Sequence, residues 1–206
     1  MHHATVHIVD DDPAVRTAVI RLCRSAGLDA VGHGDTATLT ELPRAGPECI
    51  LLDVHLGERN GLAVQEDLRA LGSTVPIIFL TGVGTVPMTV RAMRGGAIDV
   101  LTKPVIDDVL LGAVHRALKV DAEAQASSRT QDDLAHRFKT LTPRERDVMT
   151  CAIGGLMNKQ IAAELGVSEI TAKVHKRHVM LKMQATSLVD LIRMADRLGL
   201  EAKRQR

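Results

Sequence analysis

The sequence predicts an α/β chain in two parts: a five-stranded, parallel, doubly wound domain, then a small all-α domain of four helices. Two observations carry this. Over residues 1–120, five short apolar runs alternate with stretches of helical period, as in a parallel sheet covered on both faces. Over residues 139–206 the strand signal vanishes. There "IAAELGVSEIT" reads as helix, glycine turn and second helix.

The apolar runs fall at residues 5–9, about 29–32, 49–53, 76–81 and 99–102. The helix after the first run opens on Asp12-Pro13 as cap and first turn, carries Val15, Val19, Leu22 and Ala26 at helical spacing, and ends at Gly27. Asp35 is placed to cap the next helix. "GLAVQEDLRALG" follows the third run, with Leu62, Gln65 and Leu68 about a turn apart. "TVPMTVRAMRGG" follows the fourth and stops on glycines. "VIDDVLLGAVHRALKV" follows the fifth and stripes Ile106, Leu110, Val114 and Leu118. Residues 121–138 are polar, rich in Ala, Gln and Ser, and read as a partly helical linker. The four carboxy-terminal helices are expected at about 143–153, 158–165, 169–183 and 187–198.

Composition narrows the function. The net charge of +1 hides a split: residues 1–120 carry 11 Lys+Arg against 14 Asp+Glu, and residues 141–206 carry 12 against 7. An acidic front and a basic back suit a regulatory domain joined to a nucleic-acid reader. With no Trp and no Tyr, the chain lacks the stacking platforms that single-strand binders use. Cys23, Cys49 and Cys151 form no short-spaced pair and predict reduced thiols. No run spans a bilayer and no secretion signal opens the chain, so a cytoplasmic protein without membrane contact is expected.

The chemistry concentrates at the ends of the apolar runs. Asp10 and Asp11 close "VHIVDD", Asp53 closes "CILLD", Thr81 closes "PIIFLT", and Lys103 follows "DVLT". In an open parallel sheet, all five converge at the carboxyl edge, where such folds bind ligands. Three carboxylates, a hydroxyl and an ammonium there predict a phosphoryl site with Mg2+ (or Mn2+). The metal prefers hard oxygen ligands. Asp53 is the candidate nucleophile, Lys103 a point charge for one phosphoryl oxygen, and Thr81 a hydroxyl donor for another.

"VDDD", "LLDVHLGERNGL", "FLTG" and "LTKP" together resemble the flavodoxin-like receiver domain of two-component response regulators, over roughly residues 4–120. The resemblance implies Asp53 as phospho-acceptor and Asp10, Asp11 and Asp53 as metal acids. It also implies His55 lending its backbone carbonyl to the metal, Thr81 and Lys103 as switch and phosphate residues, and a cis Lys103-Pro104 bond. Gly57, Val100 and Val105 stand where that family usually has proline, an aromatic and phenylalanine. With no ring at 100, the switch is expected to run through Thr81 and the helix after it.

The segment from "LTPRERDVM" to "VHKRHVMLKM" resembles the LuxR-type helix-turn-helix of the FixJ and NarL group. In its second helix Ala172, His175, Val179 and Met183 share one face, read as core. Lys173, Arg177, Met180 and Gln184 share another, free to enter a major groove. Lys173 and Arg177 carry donors that match guanine, and Val174 can meet a thymine methyl. Thr171, Lys176 and Lys182, with Asn158, Lys159 and Gln160, are phosphate candidates.

The expectation is therefore a transcriptional regulator and not an enzyme, beyond catalysing phosphoryl transfer to and from itself. A sensor histidine kinase would phosphorylate Asp53. The receivers would then form a homodimer through Val86, Val90 and Met93 and bind double-stranded promoter DNA, with RNA polymerase as a further partner. Two rivals stay open. One is an enzyme using Asp53 catalytically, against which His55 stands where a phosphatase wants a second acid. The other is a constitutive DNA binder whose inert receiver only dimerises.

Overall fold

The computed structural model describes residues 4–36, 39, 46–57 and 59–203. The chain divides into two compact units between Gln125 and Ala126.

The first unit is built on a parallel sheet in the order β2-β1-β3-β6-β7. Its strands are β1 (Thr5–Val9), β2 (Asp29–His33), β3 (Glu48–Asp53), β6 (Ile77–Thr81) and β7 (Asp99–Thr102). They coincide with the five apolar runs to within a residue or two. β3 and β6 are buried along their whole length, as strands covered on both faces must be. On one face Val6, Ile8, Leu51 and Ile78 meet Cys23 of α1 (Pro13–Ser25) and Leu110, Val114 and Ala117 of α4 (Asp107–Lys139). On the other, Ile50, Leu52, Ile77 and Phe79 meet Leu62, Val64 and Leu68 of α2 (Gly61–Ala70) and Ala92 of α3 (Val86–Arg94).

The register sets the functional edge. Val9 lies opposite Leu52, Asp53 opposite Leu80, and Thr81 opposite Thr102. Asp10, Asp53, Thr81 and Lys103 therefore stand side by side where the strands end, and β1 and β3 flank the switch point.

Several local expectations need correction. Ile106 lies one residue before α4 and is 70% exposed, so the buried stripe begins at Leu110 and includes Ala113 and Ala117. Ala26 ends α1 exposed. The helix packs instead through Val19, Ile20, Leu22 and Cys23. A short antiparallel pair, β4 (His55–Leu56) and β5 (Arg59–Asn60), follows β3 and was not foreseen. Gly57 between them adopts φ +57°, a conformation natural to glycine. The helix expected after Asp35 lies almost wholly outside the described residues. Residues 121–138 are helical throughout, as the continuation of α4.

The second unit holds α5 (Pro143–Ile153), α6 (Asn158–Leu165), α7 (Glu169–Met183) and α8 (Leu188–Arg197), matching the four helices read from spacing. Val148, Met149, Ile161, Val179, Met183 and Leu191 form its core. Thr142 and Glu145 cap α5 reciprocally: each side chain accepts from the other residue's backbone N–H. Gly166 ends α6 in the left-handed region, and the Ser168 side chain accepts from Thr171 N–H to start α7. The three thiols, Cys23, Cys49 and Cys151, are free and buried.

Candidate functional site

At the carboxyl edge, Lys103 Nζ donates to Asp10 Oδ2 at 2.6 Å and to Asp53 Oδ2 at 2.7 Å. Asp10 and Asp53 are buried, Asp11 is exposed, and ligand oxygens of the three lie within 4.8 Å of one another. Backbone N–H groups hold an oxygen of each, two from within the same loop and one from across, in the loop after β3. Asp10 Oδ1 accepts from Asp12 N–H, Asp53 Oδ1 from His55 N–H, and Asp11 Oδ2 from Gly57 N–H. The loops after β1 and β3 thus aim the carboxylates. Burial works against the charge of Lys103, but its hydrogen bonds to Asp10 and Asp53 outweigh that, and its pKa is raised. Lys103 N–H also donates to the Thr81 carbonyl at 2.7 Å, and the Lys103-Pro104 bond is cis.

Thr81 is fully buried. Its hydroxyl donates to Val83 C=O at 3.1 Å and lies 3.3 Å from Val83 N–H, so it holds the turn after β6. His55 is exposed, two residues past Asp53. Three carboxylates of hard oxygen donors, two already tied to one cation, fit a divalent ion of the magnesium class. Val86, Val90 and Met93 of α3 are 78%, 43% and 46% exposed, so this stripe is not spent on internal packing.

Two residues of this site escaped the sequence reading. Arg16 Nη1 donates to the Asp10 carbonyl at 2.6 Å and steadies the end of β1. Gly61 lies under Asp53, where an added Cβ would stand 2.2 Å from the Asp53 carbonyl oxygen. Its N–H donates to Val54 C=O. The "NG" dipeptide was the available signal: Asn60 caps α2, and Gly61 allows the close approach.

In the second unit, Ala172, Val179 and Met183 of α7 are fully buried and His175 is half-buried. Lys173, Val174 and Arg177 are exposed, as is Lys159 of α6, whereas Lys176 is half-buried. Three placements differ from expectation. Met180 packs against the core, and Gln184 leaves the helix as its left-handed C-cap. Lys182 Nζ sits 2.6 Å from Glu145 Oε2, a buried carboxylate, and also donates to Thr140 C=O. Thr171 and Gln160 serve as caps: Thr171 Oγ1 pairs with Ser168 Oγ at 2.8 Å, and Gln160 Oε1 accepts from Met157 N–H. Asn158 Oδ1 and His175 Nδ1 are buried with no hydrogen-bond partner among the described residues.

Both units match known families. Residues 6–115 match the response regulator receiver domain, and residues 139–195 match the bacterial regulatory proteins of the luxR family. The chain is 47% identical to nodulation protein W of Bradyrhizobium diazoefficiens, covering 97% of this chain and 88% of that protein. It is 39% identical to the transcriptional regulatory protein FixJ of the same species, covering 95% and 96%. The solved structure of the response regulator StyR superposes with a TM-score of 0.87 at 41% identity, covering 94% of this chain and 98% of that one. Among the described residues no helix is long and apolar enough to cross a membrane. The receiver edge and the helix-turn-helix lie in one polypeptide that aligns with such relatives almost end to end, so the chain belongs to the two-component response regulators with a LuxR-type DNA-binding domain.

Proposed function

We propose that this is a phosphorylation-controlled transcriptional regulator of the cytoplasm, with residues 1–120 as receiver, 121–138 as linker and 139–206 as DNA reader. The observation that carries the reading is the Lys103 ammonium bridging Asp10 and Asp53 with Asp11 alongside. Asp53 accepts a phosphoryl group from a sensor histidine kinase. A P–O bond forms to the Asp53 carboxylate as the P–N bond to the kinase histidine breaks, and that bond's electron pair returns to the imidazole. Asp10, Asp11, Asp53 and the His55 carbonyl would hold Mg2+ (or Mn2+), which would supply positive charge beside the transferring oxygens. Lys103 follows one phosphoryl oxygen as its hold on Asp53 is released. Thr81 gives up Val83 C=O to donate to another, which frees the turn leading into α3.

The exposed Val86, Val90 and Met93 then pair two receivers, and two tethered readers gain effective concentration on paired half-sites of promoter DNA. Lys173, Val174 and Arg177 read bases. Asn158, Lys159, Gln160, Thr171, Lys176 and Lys182 are the phosphate-side candidates. Among them Lys159 and Lys176 have no partner for their ammonium groups among the described residues, and Lys182 must leave Glu145 to take part. RNA polymerase is the partner through which promoter binding acts.

The test incubates the full chain with Mg2+ and acetyl phosphate and reads intact mass and solution molar mass, with Asp53→Asn as control. An adduct on the wild type alone, with a shift to dimer, is expected. Absence of the adduct with DNA binding unchanged would leave a constitutive binder.

A further inference from the structure

The outer face of α7 carries an apolar residue that the reading above leaves without a role. Ile170 is the second residue of the helix and is 78% exposed. Single exposed apolar residues are common, so its exposure alone says little. Its position says more. At about 100° per residue, Ile170, Val174 and Arg177 fall within about 60° of one another, and Lys173 borders them. Ala172 and Val179, fully buried, mark the opposite side. Ile170 is thus at the middle of the exposed face, at the end of the helix that reaches base edges in helix-turn-helix proteins. It contributes nothing to the core, and an apolar side chain in the first turn gains nothing from the helix dipole.

In the major groove the one apolar group on a base edge is the thymine C5-methyl. We propose that Ile170 is a sequence-reading residue that packs against this methyl, one or two base steps from the pair read by Val174 and Arg177. The four-residue separation from Val174 is about 6 Å along the helix, enough to reach a different base. The flanking Lys173 and Arg177 hold the helix against the polyanion while Ile170 and Val174 supply an apolar pair between them. The proposal rests on α7 entering the major groove, and it implies a site with a defined thymine at the position facing Ile170.

The test uses full-length protein treated with Mg2+ and acetyl phosphate. A duplex is selected from a random library, then resynthesised with each thymine in turn replaced by deoxyuridine, which lacks only the methyl. At one thymine per half-site, deoxyuridine should weaken wild-type binding by about fourfold, the value of one buried methyl. That penalty should vanish in Ile170→Ala and survive in Val174→Ala. Ile170 is exposed, so its truncation leaves the core intact, and a melting curve checks this. A wild type indifferent to deoxyuridine, or a penalty that persists in Ile170→Ala, would overturn the role of Ile170 while leaving DNA reading in place. If selection yields no preferred duplex, both fall.

Discussion

Lys103 Nζ and Asp53 Oδ2 are 2.7 Å apart, so the ammonium holds the very carboxylate proposed as the phospho-acceptor. The same ammonium opposes any cation brought to these acids. Lys103→Ala should therefore bind Mg2+ more tightly, by about tenfold for some 1.4 kcal/mol of relieved repulsion, and yet accept phosphoryl from acetyl phosphate more slowly. Calorimetric titration and intact mass measure the two effects. A weaker Mg2+ site in the variant would contradict the arrangement.

His7 gives the receiver a pH signature. It is buried, its Nδ1 lies 3.1 Å from His33 Nε2, and burial, with the charge on His33 second, lowers its pKa from 6.5 to about 4. The unfolded chain takes up a proton near pH 6.5 that the folded one refuses until about pH 4. Stability is therefore fully present above 6.5 and declines between those values, by about 3 kcal/mol. The denaturant midpoint of the wild type should fall relative to that of His7→Gln as pH drops through this window. A constant gap from pH 7 to 4.5 would count against it.

Gly61 should tolerate no side chain. A methyl there meets the Asp53 carbonyl oxygen at 2.2 Å, so the end of β3 or the start of α2 must shift. Gly61→Ala should cost about 1–3 kcal/mol in receiver stability and also slow phosphorylation of Asp53. Gly72→Ala, where a Cβ finds open space but φ is +81°, should destabilise without touching phosphorylation.

Lys182 and Glu145 should behave as a structural pair before they behave as a DNA contact. Burial of Glu145 favours its neutral form, but the hydrogen bonds from Lys182 and Thr142 outweigh this and lower its pKa. Its contribution is present above the ordinary 4.5 and lost as pH falls through the depressed folded value. Lys182→Ala takes the ammonium from a buried carboxylate, leaving it only Thr142 N–H and the nearby His178, and should destabilise the reader by about 2 kcal/mol at pH 7. That cost should shrink as pH falls below 4.5 towards the depressed folded value. A variant that melts like wild type at pH 7 while its DNA affinity becomes less salt-dependent would make Lys182 a phosphate contact first.

What could be read from the chain divides along physical lines. The five strands and four carboxy-terminal helices were legible because their apolar spacing is local, and the glycines and caps at Gly27, Gly166 and Ser168 are local too. The convergence of Asp10, Asp53, Thr81 and Lys103 followed from the rule that parallel strands share one functional edge. Long-range choices were not legible. Met180 has the same spacing as Arg177 and Gln184 but turns to the core. Lys182 looks free until Glu145, 37 residues earlier, is brought against it. Ile106 fits the stripe of α4 but falls just outside the helix. The β4–β5 pair is two residues a side, too short for any alternation to show.

The buried thiols give the molecule a built-in way to report on itself. With no Trp or Tyr and only Phe79 and Phe138, intrinsic fluorescence is nearly silent on unfolding. Cys23 and Cys49 lie in the receiver core and Cys151 in the reader core. Burial pushes the Cys23 thiol up to about 11 and raises the other two as well, so none is reactive while its core is closed. A thiol reagent therefore counts openings, not surfaces. The order in which the three cysteines are labelled says which half of the protein breathes first, and whether occupying Asp53 quiets the half that carries it.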